Sequence, residues 1–393
     1  MKVLILTTKY PSPNESEWLI SELANELAKR GNSVKVLNVE WSSYQPRHKH
    51  RTMNPKVISY NAISIPLGRF SIFPKWIFSS LKIAPYLILD FIKKERYDLL
   101  ITTSPCTACA SAIVLSHLVS KKSLLIYWDF FPIHNQQISN KVPVLLMPML
   151  KNIEKKLVNS FSDVACMSPA NLVFFDKYFD LNPKQNRFIL PIWTSYLRLE
   201  KSIKKPLFES SIYEDNIIVT FGGQLVEGRG LETLIEAIKI ARVSNNKIKL
   251  VVCGDGQLSS IVEDFCREEP LACSYLGKLP REEYLNVLSY SDIGVVATIE
   301  NVDSPTYPSK SLDYMAASIP IVASVEKNSD FGLVLEENNF GLSCDAGNPE
   351  TLAKLLIILA EDAELRYAMG RNGLKFLNDF HSVSKIVNRI LEI

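Results

Sequence analysis

A glycine-rich loop with one arginine lies where a strand-like run turns into a helix-like run. The run Asn216–Phe221 is apolar, and the loop Gly222–Gly230 that follows carries four glycines and Arg229. Apolar residues then recur at 231, 234, 235 and 238, the spacing of a buried helix face. Backbone N–H groups at such a turn lack helical partners, and the helix dipole adds partial positive charge. The loop therefore predicts either an anion site that includes Arg229 or an ordinary turn that uses glycine for its geometry.

A second segment, Thr306–Pro320, brings three polar side chains to one face of a predicted helix. Ser309, Lys310 and Asp313 lie at positions i, i+1 and i+4, and apolar residues occupy the opposite stripe. A hydroxyl, a cation and a carboxylate are the groups that hold a phosphate and a ribose or sugar diol. The alternative is a solvated helix face with an intrahelical Lys–Asp pair.

A third segment places Gly254 and Gly256 directly after a strand-like run. The spacing is close to a dinucleotide-binding fingerprint, but the third glycine is missing. A plain turn is the better interpretation, with its backbone lining a base or ribose pocket. Because no intact Gly-x-Gly-x-x-Gly opens either half of the chain, a dehydrogenase is poorly supported.

The elements that must position these residues alternate between strands and helices. In the first half, strands are predicted at 3–6, 33–39, 98–102, 123–127, 164–167 and 187–190, and in the second half at 216–221, 249–253, 274–276, 293–297 and 319–323. Such alternation predicts an α/β fold of two tandem, doubly wound parallel-sheet domains, Rossmann-like, with the ligand in the cleft between them. The predicted domains are residues 1–195 and 196–375, followed by a C-terminal helix over 376–393 that returns to the first domain.

The charge is distributed unevenly along the 393 residues. The net charge is +2, yet residues 1–200 hold 25 Lys+Arg and 14 Asp+Glu, a net +11, and the remainder holds 19 and 28, a net −9. A basic first half favours an anionic surface or ligand, with two ordinary solvated surfaces as the alternative. Seven cysteines without a framework spacing favour a reducing compartment, and the lone Cys106-Thr-Ala-Cys109 predicts small buried thiols rather than a zinc site.

The segment Gly68–Arg96 combines basic and aromatic residues. Its basic residues are Arg69, Lys75, Lys82, Lys93, Lys94 and Arg96, and its aromatic and apolar ones include Phe70, Phe73, Trp76, Ile77 and Phe78. This composition predicts either an interfacial segment on anionic lipid or a core helix with basic flanks. No stretch reaches the roughly 20 apolar residues of a membrane span. The short N-terminal apolar run predicts a first strand rather than a signal peptide.

Taken in order, the motifs of the second half resemble those of a GT-B glycosyltransferase of the large retaining family four. Gly223–Gly230 has the spacing of that family's first phosphate loop, with Arg229 in place of a lysine and Gln224 in place of an arginine. Gly254 and Gly256 match its next glycine turn. Of the family's carboxylate pair, Asp313 takes the second position and Pro305 stands at the first. The Pro-Ser-Lys sequence ending at Lys310 resembles a subgroup of fucosamine-type transferases of bacterial surface polysaccharides.

The resemblance assigns roles to individual residues. Donor binding is expected from Gly222, Gly223, Gln224, Arg229, Gly254, Gly256, Ser309, Lys310 and Asp313. Acceptor binding is expected from Lys9, Tyr10, Glu15, Asp129 and His134. Asp129, Arg229 and Lys310 are the candidate catalytic residues, with Asp129 orienting the acceptor hydroxyl. A carboxylate at a strand end is also often only a helix cap, so this alternative for Asp129 stays open.

The resemblance implies a metal-independent, retaining transfer of sugar from a nucleoside-diphosphate donor, UDP-linked by preference. The acceptor would be a glycan or a polyprenyl-diphosphate-linked sugar in surface polysaccharide synthesis. No Asp-x-Asp occurs in the chain, so neither a metal nor a cofactor is expected. The expected location is cytoplasmic, with peripheral contact to an anionic membrane, and no nucleic acid is expected as a partner. Two alternatives are a sugar-nucleotide 2-epimerase and a non-catalytic nucleotide-sugar-binding partner of a transferase.

Overall fold

The protein was analysed as a computed structural model, which describes residues 1–11, 17–41, 49–51, 53–62, 78–139, 142–179, 183–199 and 215–393. The chain divides into two compact units. Unit 1 comprises Met1–Thr194 and Val383–Ile393, and unit 2 comprises Ser195–Ser382. The C-terminal helix of the chain therefore belongs to unit 1. The boundary predicted after residue 375 lies inside a long helix, Ala363–Phe380, of unit 2.

The strands and helices are numbered separately in chain order. The strands are β1 Lys2–Thr7, β2 Ser33–Glu40, β3 Lys49–Arg51, β4 Lys56–Asn61, β5 Tyr97–Thr103, β6 Ser120–Tyr127, β7 Asp163–Cys166, β8 Asn186–Ile189, β9 Ile217–Gly222, β10 Ile248–Cys253, β11 Cys273–Tyr275, β12 Ile293–Ala297, β13 Ile321–Val325 and β14 Gly341–Asp345. The helices are α1 Leu19–Lys29, α2 Ala84–Ile92, α3 Ala110–His117, α4 Ile133–Ser139, α5 Met147–Val158, α6 Pro169–Phe179, α7 Leu231–Ser244, α8 Ser259–Glu268, α9 Arg281–Ser289, α10 Lys310–Ala316, α11 Phe331–Glu337, α12 Pro349–Glu361, α13 Ala363–Phe380 and α14 Val383–Leu391.

Unit 1 is built on an eight-stranded sheet in the order β3-β4-β2-β1-β5-β6-β7-β8. All neighbouring pairs are parallel except β3 with β4. Apolar side chains of α2, α3, α5 and α6 pack on one face of the sheet, and those of α1 and α14 pack on the other. Because both faces are covered, strands such as β1 are almost uniformly apolar rather than alternating.

Unit 2 is built on a six-stranded parallel sheet in the order β11-β10-β9-β12-β13-β14. Counted from its first strand, this is the 3-2-1-4-5-6 order of the doubly wound dinucleotide-binding fold. The strand order reverses between β9 and β12, and ligands of such sheets bind beyond the carboxyl ends of the strands at that point. The predicted α/β class with two tandem parallel sheets is confirmed.

Three strands that the sequence patterns did not predict complete the sheets. β4 joins β2 in unit 1 and pairs with β3 on its other side, and β14 forms an edge of the unit 2 sheet beside β13. All three contain polar residues and at most short apolar runs, so their local periodicity is weak. Within the described residues, no helix is long and apolar enough to cross a bilayer.

Candidate functional site

The glycine-rich loop of unit 2 begins at the carboxyl end of β9, where β9 and β12 separate. Only two residue pairs, ending at Gly294 and Thr220, keep the two strands in register. Tyr314 of α10 occupies the opening. Its hydroxyl accepts a hydrogen bond from the Gly222 N–H at 3.1 Å and lies 3.2 Å from the carbonyl oxygens of Thr220 and Val295, to which it donates. Tyr314 therefore fixes α10 to the point where the strand order reverses.

Sequence reasoning missed Tyr314. A buried aromatic residue in the apolar stripe of a helix is ordinary, and nothing local marks its hydroxyl as a bridge. The sequence feature that could have indicated the two tyrosines is glycine at positions 222 and 294. A Cβ at Gly294 would lie 2.4 Å from the Tyr314 ring, and one at Gly222 would lie 2.2 Å from the Tyr284 hydroxyl. Glycine at these positions makes room for the two tyrosines.

The two glycine loops of unit 2 pack backbone against backbone. A Cβ at Gly254 would lie 1.8 Å from the Gly223 carbonyl oxygen, and one at Gly256 would lie 2.2 Å from the Leu225 carbonyl oxygen. The Gly223 N–H donates to the Cys253 carbonyl at 2.9 Å. The Gly254–Gly256 turn therefore supports the first loop, which is a reason for its glycines that the sequence alone did not give.

Lys310, the first residue of α10, lies beside the first loop. A Cβ at Gly223 would be 3.8 Å from the Lys310 Nζ, and Nζ lies 3.5 Å from the centroid of the Phe221 ring. The Nζ atom is buried and has no hydrogen-bond partner among the described residues. Burial lowers the pKa of Lys310 well below its ordinary value, and the nearby Arg229 lowers it further. A buried amine without an acceptor is costly, so this position favours an anion.

Arg229 supplies a second cation to the same place. It is half-buried and forms no ion pair with any residue in the described ranges. The next residue, Gly230, has a left-handed φ of 56° and is the N-cap of α7. A side chain at Gly230 would meet the Thr298 carbonyl oxygen at 2.4 Å, so the loop turns directly against the end of β12.

A buried carboxylate at the end of β13, Glu326, connects the loops that carry these cations. Its Oε2 accepts from the Thr298 hydroxyl at 2.7 Å, and its Oε1 accepts from the Thr306 N–H at 2.6 Å. Thr298 packs against Gly230 beside Arg229, and Thr306 precedes Lys310 by four residues. Sequence reasoning did not single out Glu326. Glu326 bonds to Thr306, the residue that follows Pro305, where the first carboxylate of the family pair is missing. Only the pairing of β13 with β12 brings the two positions together.

Asp313 is paired with a residue that the sequence did not connect to it. Both of its carboxylate oxygens accept from the Arg281 guanidinium, one of them at 2.7 Å. Arg281 lies on α9, and its guanidinium also stacks near Tyr196 and Tyr284. The carboxylate predicted to hold a diol therefore also ties α9 to α10. Ser309 and Gln224 are exposed beside the two cations.

Two of the predicted acceptor residues of unit 1, Lys9 and Asp129, follow the carboxyl ends of β1 and β6, which are separated in the sheet by β5. The exposed Lys9 follows β1, and its Nζ is 4.7 Å from the centroid of the Trp18 ring. Asp129, also exposed, follows β6, and its N–H donates to the Ser104 hydroxyl at 2.9 Å. Trp18 and Trp128 meet edge to face at 5.5 Å, which brings the two loops to one edge of the sheet.

The other acceptor residues differ in their positions. Tyr10, the residue after Lys9, is buried, and its N–H donates to the Glu40 carboxylate at 3.3 Å. Tyr10 therefore contributes to the packing of unit 1. His134 is half-buried in the first turn of α4. Glu15 lies outside the described residues. Among the described residues, no group of three or more His, Cys, Asp or Glu side chains is placed to hold a metal ion.

Comparisons with known proteins agree with this architecture. Residues 202–376 match the family model described as "Glycosyl transferases group 1". The chain is 24% identical over 279 residues to "Probable glycosyltransferase WbjE" of Pseudomonas aeruginosa, in an alignment that covers 68% of each chain.

Two solved structures resemble the whole chain. Sucrose-phosphate synthase from Thermosynechococcus elongatus matches with a TM-score of 0.71 and 16% identity, covering 100% of this chain and 98% of that one. HepE of Anabaena, solved in complex with UDP, matches with a TM-score of 0.70 and 15% identity, covering 100% and 99%. These similarities establish the GT-B fold.

Proposed function

We propose, from the premise that this chain is a glycosyltransferase of the GT-B fold with a group 1 domain in unit 2, that it uses a nucleoside-diphosphate sugar as its donor. The diphosphate of this donor binds between Lys310 and Arg229. The observation that carries the proposal is the buried Nζ of Lys310, which has no hydrogen-bond partner among the described residues and lies beside Gly223 and Arg229. A diphosphate would supply the missing acceptors and neutralise both cations. The exposed Gly223, Ser309 and Gln224 complete the proposed donor site. The backbone N–H groups of Gly222 and Gly223, which the sequence suggested as phosphate donors, are instead bonded to the Tyr314 hydroxyl and the Cys253 carbonyl.

The proposed chemistry is stabilisation of the leaving group. As the bond between the sugar and the diphosphate breaks, negative charge develops on the diphosphate oxygens. Preorganised cations at that point lower the barrier, which is usually the largest catalytic contribution. Arg229 and Lys310 take this role, and the N-terminus of α7 adds the helix dipole. By resemblance to family four and its fucosamine-type subgroup, the anomeric configuration of the sugar is retained and no metal is required.

The proposed roles of the remaining residues follow from their positions. Asp313, held by Arg281, borders the donor site and contributes to the ribose subsite, with the Gly254–Gly256 turn lining the nucleoside. UDP is the preferred nucleotide, because the structurally similar HepE was solved with UDP. Asp129 orients the acceptor hydroxyl, and Lys9, Tyr10 and His134 contribute to acceptor binding. The acceptor is a glycan or a polyprenyl-diphosphate-linked sugar of surface polysaccharide synthesis, reached at the cytoplasmic face of an anionic membrane.

The decisive experiment measures nucleotide binding without metal. UDP, GDP, ADP and CMP are tested for a shift in the thermal unfolding midpoint, because a ligand that binds only the folded state stabilises it by mass action. We expect a clear shift with one diphosphate. Since the pKa of Lys310 is lowered in the free protein, diphosphate binding should also take up protons in the pH range between the free and bound pKa values. Calorimetry in two buffers of different ionisation enthalpy measures this uptake.

Variants connect the binding to the two cations. Lys310→Met should abolish the proton uptake, and Arg229→Ala should lower turnover about tenfold or more, from the roughly 1.5–3 kcal/mol of a charged hydrogen bond. Normal diphosphate binding by both variants would contradict the site. Release of an epimerised sugar nucleotide without an acceptor would instead identify a 2-epimerase.

A further inference from the structure

Exposed apolar side chains of unit 1 concentrate on one layer of helices. α2, α3 and α5 all cover the same face of the sheet, and α2 packs on α3, which packs on α5. Large apolar residues point outward along this layer, represented by Ile88, Phe91, Ile92, Val114, Leu145 and Met149. Ile92 is 68% exposed and Leu145, in the turn before α5, is 89% exposed. We call the outer surface of α2, α3, α5 and this turn the apolar helix surface.

The opposite layer of unit 1 lacks this feature. α1 and α14 cover the other face of the same sheet, and within their described residues no large apolar side chain is exposed. Scattered exposed apolar residues are normal on a protein surface, but here several of them lie together on neighbouring helices of one face of the sheet. The apolar helix surface therefore indicates a partner on that side of unit 1.

The charges beside this surface are mainly basic. Lys93 and Lys94 at the end of α2, Arg96 after it and Lys156 on α5 are exposed. The acidic residues nearby are already paired within the protein. Asp90 is buried and bonded to Lys35 at 2.6 Å, and Glu95 is bonded to Lys2 at 3.1 Å. Apolar side chains with lysine and arginine at their margins match the boundary between the headgroups and acyl chains of an anionic bilayer.

We propose that the apolar helix surface is where this protein docks on an anionic lipid membrane. The helices would lie in the plane of the interface, with Ile92, Val114 and Leu145 entering the headgroup–acyl boundary and Lys93 and Lys156 contacting lipid phosphates. A second copy of the chain is a poorer occupant, because a two-fold contact through this surface would bring the basic margins of both copies together. This inference rests on the proposed function only in assuming a lipid-linked acceptor. The predicted segment Gly68–Arg96 contributes its described part from Phe78 onward, and residues 68–77 lie outside the described residues.

The test is sedimentation of the full chain with vesicles of phosphatidylglycerol and phosphatidylcholine, compared with phosphatidylcholine alone. One variant removes apolar contacts on three elements, Ile92→Ser with Val114→Ser and Leu145→Ser. Its matched control changes three exposed apolar residues of unit 2, Val243→Ser with Leu271→Ser and Leu333→Ser. A charge variant, Lys93→Glu with Lys156→Glu, is matched by Lys354→Glu with Lys375→Glu, which are exposed on unit 2.

We expect wild type and both controls to sediment with the anionic vesicles and much less with phosphatidylcholine alone. The apolar and charge variants should each lower the partition coefficient by about tenfold or more, and added salt should weaken the binding of wild type. Equal binding by a variant and its control would overturn the proposal, and so would failure of wild type to bind the anionic vesicles. A concentration-dependent dimer of wild type that the apolar variant does not form would also overturn it, because the surface would then contact a second copy of the chain. The nucleotide-induced thermal shift, measured on the same proteins, should not change. If wild type shows no nucleotide-induced shift, that result counts against the proposed function, and the vesicle experiment still tests membrane docking independently.

Discussion

The carboxylate of Glu326 acts on the candidate cations through the loops that carry them. It is buried, so it does not face the donor, and its two oxygens hold Thr298 and Thr306. Thr298 packs against the Gly230 turn, and the Thr306 carbonyl is held in addition by the Ser329 hydroxyl at 2.9 Å. Glu326 is therefore a positioning residue in the proposed donor site.

Glu326→Gln should weaken diphosphate binding. The amide oxygen can still accept one hydrogen bond, but the charge-assisted pair of contacts is lost, which predicts about 1 kcal/mol, or roughly fivefold, in the dissociation constant. Calorimetric titration with UDP measures it. If Glu326 acts by placing Lys310, the same substitution should have a smaller effect in a Lys310→Met background, because coupled residues are not additive.

The matched control is another buried carboxylate that accepts two hydrogen bonds, Glu154 of unit 1. Glu154→Gln should leave UDP affinity unchanged. Fully additive effects of the Glu326 and Lys310 substitutions would show that Glu326 stabilises unit 2 without positioning the cation.

At the scale of elements, the two glycine loops of unit 2 act as one support. Their backbones approach more closely than any side chain allows at Gly254 and Gly256. This close approach holds the loop after β9 in place and leaves Gly223 exposed. The contact joins residues about 30 positions apart, and only the parallel pairing of β9 with β10 creates it.

Gly254→Ala should destabilise unit 2 strongly. The new methyl group would clash with the Gly223 carbonyl, and the alanine backbone would have to adopt an unfavourable φ of 154°. We therefore expect a loss of about 3 kcal/mol or more in the free energy of unfolding. Gly277→Ala is the matched control, since its φ of 65° is also left-handed but nothing lies within 4 Å. It should cost only about 1–2 kcal/mol. Urea denaturation of both variants measures the difference, and equal losses would contradict the close approach.

The short 3-10 helix Cys106–Cys109 after β5 is held by a carboxylate from α5. Glu154 is buried and accepts from the Cys106 and Thr107 N–H groups at 2.7 and 2.9 Å. Burial raises the pKa of Glu154 from 4.5 to about 7, although the two backbone N–H groups act in the opposite direction. At pH values between 4.5 and about 7, the Glu154 carboxyl is therefore protonated in the folded state but ionised in the unfolded state.

This linkage predicts that stability falls as pH rises from about 4.5 to about 7. The contribution of Glu154 is at most about 3 kcal/mol, from 1.36 kcal/mol per pKa unit, and it levels off above pH 7. Glu154→Gln should remove this slope, whatever its cost in absolute stability. Chemical denaturation of wild type and variant across this pH range provides the measurement. Parallel pH profiles for the two proteins would show that Glu154 does not titrate in this window.

At the scale of the whole molecule, the cysteines form no disulfide. All seven thiols are free, five of them are buried, and Cys266 and Cys344 are half-buried. Burial raises the pKa of the Cys106, Cys109 and Cys253 thiols, which makes them unreactive in the folded state. This arrangement agrees with the prediction of small buried thiols for Cys106 and Cys109.

Thiol labelling should therefore report the folded state of both units. We expect at most two cysteines to react quickly in the native protein and all seven to react after denaturation. A reductant should leave the thermal midpoint unchanged. Fast labelling of Cys106 or Cys109 would indicate local opening beside α5, and a midpoint that falls with reductant would contradict the absence of disulfides.

The sequence by itself determined the class of the fold and identified the segments of the proposed donor site. Strands and helices leave local periodicities, so their alternation was enough to predict two parallel sheets. The glycine loop with Arg229 and the helix with Lys310 were visible because glycine and charged residues at element ends are local signals. The edge strand β14 was missed because few buried apolar residues mark it.

Only the tertiary structure decided how these segments meet. It placed the Lys310 amine beside Gly223 and Arg229 with no hydrogen-bond partner in the part of the chain that the structure describes. It also paired Asp313 with Arg281 and put Tyr314 between β9 and β12. Each of these contacts joins residues that are far apart in the chain. The physical reason is that local periodicity specifies which face of an element is buried, whereas the partner it meets depends on strand order and register, which form only when the sheet assembles.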